Sequence, residues 1–262
     1  MKKAFTLVAA LGVLLAVCIG LTHNGSGGYG GKYAYAGLPR TSPAYTNVLL
    51  VLTNAGCVVA YDEQKKNPAW TCYHLFKVDS LIAPPRPEAF DVDARTRARV
   101  ASANYDDSGY DRGHQAPNYA IGVCYGTNAQ SQTFLMSNVI PQKPKLNREV
   151  WERLESTEIK DWAQRYTNIW VVTGPVYSEH PDKMTNGILV PDKCFKIIVR
   201  EDAGQPKALA FEIPQTVAGT ESPTQFLTTV TIIEKDTGLM FFNDLPGEMR
   251  SKLENEKAAG TW

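Results

Sequence analysis

The chain has 262 residues, Lys+Arg 27 against Asp+Glu 27, and 44% hydrophobic residues. This is the composition of a globular protein long enough to bury a sizeable core, and with Gly 20, Pro 16 and no short repeat it excludes collagen, coiled coil and wholesale disorder. A formal net charge of zero argues against a protein that coats nucleic acid by charge alone, but says little about an enzyme that touches a few phosphates.

Lys2 and Lys3 precede an apolar run over residues 4–21 that only Thr6 interrupts. A charged start followed by an apolar stretch is the pattern of a secretory signal. The run is also about long enough to span a bilayer, so an uncleaved anchor is the rival. Residues 1–22 are therefore expected to be a signal peptide or an N-terminal membrane anchor. The protein is expected to be exported: secreted, periplasmic, or tethered through residues 4–21 and facing outward. Residues 23–46, rich in Gly, Tyr and Pro, read as a linker and an irregular N-terminal segment. Residues 47–262 read as a single domain.

Residues 48–62 are apolar and β-branched around the turn Asn54-Ala55-Gly56, which predicts a hairpin. Residues 70–78 alternate like a strand. The prolines of 83–87 break regularity, and 91–113 read as a polar loop. Residues 133–140 resemble a short buried strand. Residues 147–166 read as a helix with Val150, Leu154 and Trp162 on its apolar stripe. Residues 169–173 form a strand ending at Gly174-Pro175. Residues 195–200 and 208–213 form a strand pair around Asp202-Ala203-Gly204. Residues 247–257 form a terminal helix. Strands outnumber helices without regular alternation, which favours α+β with a central antiparallel sheet flanked by helices. Four cysteines follow the leader. Cys57 and Cys72 lie on neighbouring strand-like runs, so a disulfide and a pair of buried free thiols are both open.

The chain holds only four histidines, His23, His74, His114 and His180, with no two at zinc-ligand spacing. There is no G-x-S-x-G, P-loop or G-x-G-x-x-G. What stands out is Asp111-Arg112-Gly113-His114. A histidine in a polar loop is a candidate base, because its ordinary pKa lies near neutrality. Arg112 can grip phosphate with two N–H groups, and Gly113 lets the backbone turn. The plainer reading is a turn whose Asp111 and Arg112 pair with each other. Asn147 sits where a helix N-cap belongs. Its side-chain oxygen can also ligate a hard cation that keeps most of its waters. Glu155 follows a little over two helical turns later and can face the same side. A cation at a helix start is opposed by the dipole while a phosphate is favoured, so the two would bind together.

Asp111-Arg112-Gly113-His114 resembles the signature of the DNA/RNA non-specific endonucleases, the ββα-metal nucleases that include endonuclease G. Ser137-Asn138-Val139-Ile140-Pro141-Gln142 resembles the family's S-N-x-x-P-Q segment. Leu146-Asn147, Trp151 and Leu154-Glu155 resemble its L-N…W…L-E helix. Tyr61-Asp62, Pro68-Ala69-Trp70, Arg86 before Phe90-Asp91, Thr173-Gly174-Pro175 and Thr237-Gly238 fit further segments in order, over residues 45–245. The resemblance implies a ββα-metal motif within one nuclease domain and a Mg²⁺-dependent endonuclease acting on DNA and RNA, with Mn²⁺ as a substitute ion and a homodimer. It implies that His114 activates water, that Asn147 ligates the ion directly, and that Glu155 reaches the ion through a water. Arg112 and Arg86 would contact phosphate, and Asn138 would support the site. One departure stands out. Ile159 occupies the position four residues after the glutamate where the family often has Arg, and the nearby Arg153 and Arg165 lack the spacing to replace it. The alternative is a catalytically impaired nuclease-like domain that binds nucleic acid or serves a structural role. The presence of His114, Asn147 and Glu155 together favours the enzyme.

Overall fold

The protein is described by a computed structural model covering residues 29–262. The expected signal peptide or anchor, residues 1–22, lies outside the described residues. Among the described residues no helix is long and apolar enough to cross a membrane.

The strands, in chain order, are β1 (Arg40–Thr41), β2 (Leu49–Thr53), β3 (Cys57–Asp62), β4 (Asn67–Phe76), β5 (Asp111–His114), β6 (Val139–Gln142), β7 (Asn168–Val176), β8 (Lys193–Asp202), β9 (Gln205–Pro214), β10 (Leu227–Thr228) and β11 (Leu239–Met240). Seven of them form one antiparallel sheet in the order β10-β9-β8-β7-β4-β3-β2. The helices are α1 (Asn118–Tyr125), α2 (Thr127–Thr133), the long run α3 (residues 146–166), α4 (Val230–Thr237) and α5 (Gly247–Asn255). The fold is α+β with a large antiparallel sheet.

Both faces of this sheet are buried, which is why its strands read as apolar runs. Cys57, Val59 and Tyr61 point to one face and pack with α1 and α3 through Ala120, Ile121, Val150, Leu154 and Trp162. Val58, Ala60 and Cys72 point to the other and pack with Trp170, Phe195, Ile233 and Leu253. The period of two in a strand therefore puts Cys57 and Cys72 on opposite faces. Both thiols are free, and the pairing open at the sequence level does not occur.

The stretch read as linker is packed from Tyr29 onward. Tyr33, Tyr35 and Ala36 are buried. The Trp170 indole donates to the Gly31 carbonyl at 2.8 Å. A Cβ on Gly30 would lie 2.2 Å from the Trp170 ring, so no larger residue fits there. β1 then pairs with β11.

In sequence terms the sheet is nearly a meander, with one jump. The chain leaves after β4 and returns in β7, and these two strands pair directly from Phe76↔Asn168 to Thr71↔Thr173. Everything between them is an excursion built on one face of the sheet, and it carries every candidate site residue. Helices α1 and α2 within it carry weak periodicity and were not anticipated. The segment 133–140 is not one strand. It ends α2, makes a 3₁₀ turn over Met136–Asn138 and enters β6.

Helix α3 is not a regular α-helix. Leu146–Trp151 and Glu158–Trp162 have π geometry, with α-helical Glu152–Thr157 between them and Ala163–Tyr166 after. Beneath the second π turn lies a fully buried ion pair. Lys196 Nζ on β8 donates to Glu158 Oε1 at 2.7 Å, and both side chains are 0% exposed. The Tyr73 hydroxyl donates to Glu158 Oε2 at 2.7 Å. The ammonium also lies 4.5 Å from the centre of the Trp151 ring. Removing one partner strands the other charge in the core. Lys196→Met is expected to lower stability by about 3–5 kcal/mol, measured by urea unfolding. A loss below about 1 kcal/mol, the range of exposed pairs, would mean the pair is solvated.

Candidate active site

Strand β5 is the signature segment itself. It pairs antiparallel with β6, Asp111 opposite Gln142 and His114 opposite Val139, and α3 follows directly. This is a ββα unit. The expected polar loop therefore ends three residues earlier, at Tyr110. Alternation along β5 sends Arg112 and His114 to one face, Asp111 and Gly113 to the other. Gly113 is needed for space rather than for a turn, since a Cβ there would lie 2.1 Å from Gln142 Oε1.

Asp111 and Arg112 do not pair with each other. The Asp111 carboxylate faces α3, where it accepts from Asn147 Nδ2 at 3.0 Å and from Arg148 at 2.7 and 2.6 Å. Asn147 is inside the first turn rather than at the N-cap, because its own N–H donates to Lys143 O at 2.9 Å. The contact with Asp111 settles the amide orientation. The NH₂ group faces the carboxylate, which leaves Oδ1 as the end able to take a cation. Arg112 reaches back to the Ser102 carbonyl at 2.7 Å and pairs with Asp106.

His114 is half-buried, with its ring packed against Phe90 and Phe134 at 4.9 Å between centres. Arg86 lies over the same Phe134 ring at 4.8 Å. Burial pushes the His114 pKa down to about 3, and the Arg86 charge adds to the shift. Its Nε2 atom is buried and has no hydrogen-bond partner. Asn138 fixes the chain just beyond. Its side-chain oxygen accepts from Ala116 N–H at 2.9 Å, and its NH₂ donates to the Ala116 and Thr133 carbonyls, each at 3.0 Å.

Glu155 opens into a cleft of about 460 Å³ that also takes in Arg86, Asn118, Tyr119, Glu152 and Lys160. Burial pushes the Glu155 carboxyl up to about 8, with the Lys196 ammonium pulling the other way and Glu158 adding to the rise. Its Oε1 atom is also buried without a partner. The structure thus brings Arg86 and Glu155 to one cleft, sets Arg86 beside His114, and ties Asn147 to the strand that carries His114. Arg112 is turned away, toward Asp106.

Ile159 is 0% exposed and belongs to the core. The two arginines considered for its role are committed elsewhere. Arg153 holds the Gly219 and Glu221 carbonyls at 2.9 and 2.8 Å, and Arg165 holds Asp161 at 2.6 Å. Sequence reasoning missed two residues here. Asp111 was read as a turn carboxylate because its strand was not recognised, and an alternating pattern over only four residues gives little signal. Lys160 was missed because an α period was assumed through a π turn. Among the described residues no three His, Cys, Asp or Glu side chains converge as a metal cage.

Asn138→Ala is expected to leave the Ala116 N–H and carbonyl buried without partners. Each such group costs about 1–3 kcal/mol. The urea midpoint should fall accordingly. An unchanged midpoint would show that water replaces the side chain at no cost.

The comparisons place the chain in a family with this fold. The family model described as DNA/RNA non-specific endonuclease matches residues 41–248. Endonuclease G, mitochondrial, of Bos taurus is 30% identical over 82% of this chain and 74% of its own length. Nuclease EXOG, mitochondrial, of Xenopus laevis is 30% identical over 71% of this chain. The match spans a little over half of that relative, 56% of its length. A crystal structure of an EndoG/EndoGI complex superposes with a TM-score of 0.68 at 25% identity, covering 78% of this chain and 90% of that one. These relatives are mitochondrial by name, neither secreted nor periplasmic, which overturns the expectation of export drawn from residues 1–22. Neither the homodimer nor the membrane tether finds support among them. With the signature on the first strand of a ββα unit and the family model spanning 41–248, the chain belongs to the DNA/RNA non-specific endonuclease family.

Proposed function

We propose that this chain is a metal-dependent, sequence-non-specific endonuclease that hydrolyses phosphodiester bonds of DNA and RNA. The observation that carries the reading is the placement of the Asp-Arg-Gly-His signature on the first strand of a ββα unit, with Arg86 beside His114 and lining one cleft with Glu155; His114 Nε2 there is buried without a partner. Orphaned buried polar atoms are costly and rare, and they mark positions that expect a partner.

The donors fit a hard divalent cation. Asn147 Oδ1 would be the direct protein ligand and Glu155 would reach the ion through a water, a set that suits Mg²⁺, which keeps several of its waters, with Mn²⁺ as substitute. When bound, such an ion stabilises the charge that develops on the phosphoryl and leaving oxygens. The chain's own residues supply the rest. His114, neutral because it is buried, accepts the proton of the attacking water at Nε2. Arg86 holds the scissile phosphate and favours the charged, in-line arrangement over His114. Arg112 takes a phosphate oxygen in exchange for Asp106. That partner is 63% exposed, so the exchange costs little. Asp111 keeps the Asn147 amide from rotating. Contacts confined to phosphate carry no base information, which accounts for the lack of sequence preference.

Digestion of supercoiled plasmid and of a structured RNA, with Mg²⁺ and with EDTA, tests the reading. Both should be cut with Mg²⁺ and neither with EDTA. His114→Ala should lower kcat roughly 10²–10⁴-fold on both. Folded wild-type protein that cuts neither, with Mg²⁺ or Mn²⁺, would replace the enzyme by the impaired binding module. The state of the base can be read separately. An ordinary histidine titrates near about 6.5. The His114 ring resonance in the metal-free protein should stay that of a neutral imidazole as pH falls through this range, protonating only toward about 3. Arg86→Ala should raise that midpoint only partly, because burial is the larger cause. A normal midpoint for His114 would contradict its burial.

A further inference from the structure

Glu155 and Lys160 are five residues apart on α3. At 3.6 residues per turn, side chains five apart point to well-separated faces. The second π turn of α3, Glu158–Trp162, changes this. A π turn winds more slowly than an α turn, so it narrows the angle between Glu155, in the α-helical stretch before it, and Lys160 within it. Ile159, four residues after Glu155, is carried into the core and Lys160 is left exposed. Lys160 accordingly lines the cleft with Glu155 and Arg86. The turn is held by what lies beneath it. Glu158 cannot leave the core without stranding Lys196, and Trp151 and Tyr73 close the space around that pair.

We propose that Lys160 is a phosphate-binding residue of the cleft, holding a phosphate next to the scissile one in a polynucleotide while Arg86 holds the scissile phosphate. The proposal rests on the nuclease reading above and gives the cleft its second cation. Neither Lys160 nor Arg86 forms an ion pair with the described residues. The Lys160 ammonium lies 5.5 Å from the centre of the Tyr119 ring, and the Tyr119 hydroxyl is itself held by the Leu81 carbonyl at 2.5 Å. A cation resting on an aromatic face gains a modest attraction while its donors stay free. Glu152 and Glu155 line the same cleft and disfavour a lone small anion. A polynucleotide overcomes this because successive phosphates engage both cations at once.

The test compares wild type with Lys160→Gln and Lys160→Arg. Binding of a short fluorescent single-stranded DNA is measured by anisotropy in EDTA over a range of salt, so no cleavage is involved. Each phosphate contact adds about 0.7 to the slope of log K against log salt. Lys160→Gln should reduce the slope by that amount, and Lys160→Arg should restore it. On long DNA with Mg²⁺, Lys160→Gln should raise KM with little change in kcat. On a small aryl phosphodiester, which carries a single phosphate, it should change nothing. Equal melting temperatures should confirm that this exposed side chain does not alter folding. An unchanged salt slope, or an equal loss on the small diester, overturns the proposal. Wild-type protein that binds DNA but cuts neither substrate defeats the nuclease reading alone, since the slope still reports on Lys160. Wild-type protein that does not bind DNA defeats both.

Discussion

The pairing of β4 with β7 is the constraint on which the site depends. Between these strands the chain makes the one long departure from the meander among the described residues, and it returns to pair directly with the strand it left. Closing so long a loop costs entropy, though the cost grows only slowly with length. The excursion offsets it by burying Ala120, Ile121, Leu146, Val150, Leu154 and Trp162 against the sheet. The short hairpin β5–β6 could not stand alone, since an isolated two-stranded ribbon is marginal in water. Its rigidity is borrowed from Asn138, which clamps Ala116, and from the close fit of Gly113 against Gln142. The four-residue strand that carries His114 is thereby tied to its neighbours by side-chain contacts as well as by its pairing with β6.

Burial acts on the two titrating groups of the site in opposite directions and with one result. It lowers His114 and raises Glu155, and each shift favours the neutral form. On the proposed reading, the neutral form of His114 is the one a base requires. Lys196 limits how far Glu155 rises, so a pair that holds the helix together also moderates the site.

Much of the fold was legible because its strands are apolar on both faces and its turns carry the expected residues. The hairpin of β2 and β3, the pair β8–β9 and the extent of α3 all follow from local pattern. The candidate residues were named from residue types in order, and His114, Arg112, Asn138, Asn147, Glu155 and Arg86 all lie within the excursion. What failed did so for local physical reasons. Four residues are too few to show alternation, so β5 read as a loop and Asp111 was paired with the wrong arginine. The basic and apolar features of residues 1–22 indicated export, which the mitochondrial relatives contradict. The tyrosines of residues 29–36 read as a linker because their partner, Trp170, lies far along the chain.

The mismatch at Ile159 has a different origin. A motif read at fixed spacing assumes a fixed helical period, and α3 does not keep one. A π turn accommodates one residue more than an α turn. Everything before it keeps its facing while everything after it is offset by one position. Such a turn needs a reason to persist, because its hydrogen bonds are less favourable than those of an α-helix. Here the reason is electrostatic. Glu158 and Ile159 are both fully buried, consecutive, and anchored to different parts of the core, one to Lys196 and the other to apolar neighbours. Holding both inward leaves Lys160 as the next side chain facing the cleft. Ile159 thus packs in the core while Lys160, the next residue, lines the cleft, and on the proposed reading the lysine supplies the cation that position 159 lacks.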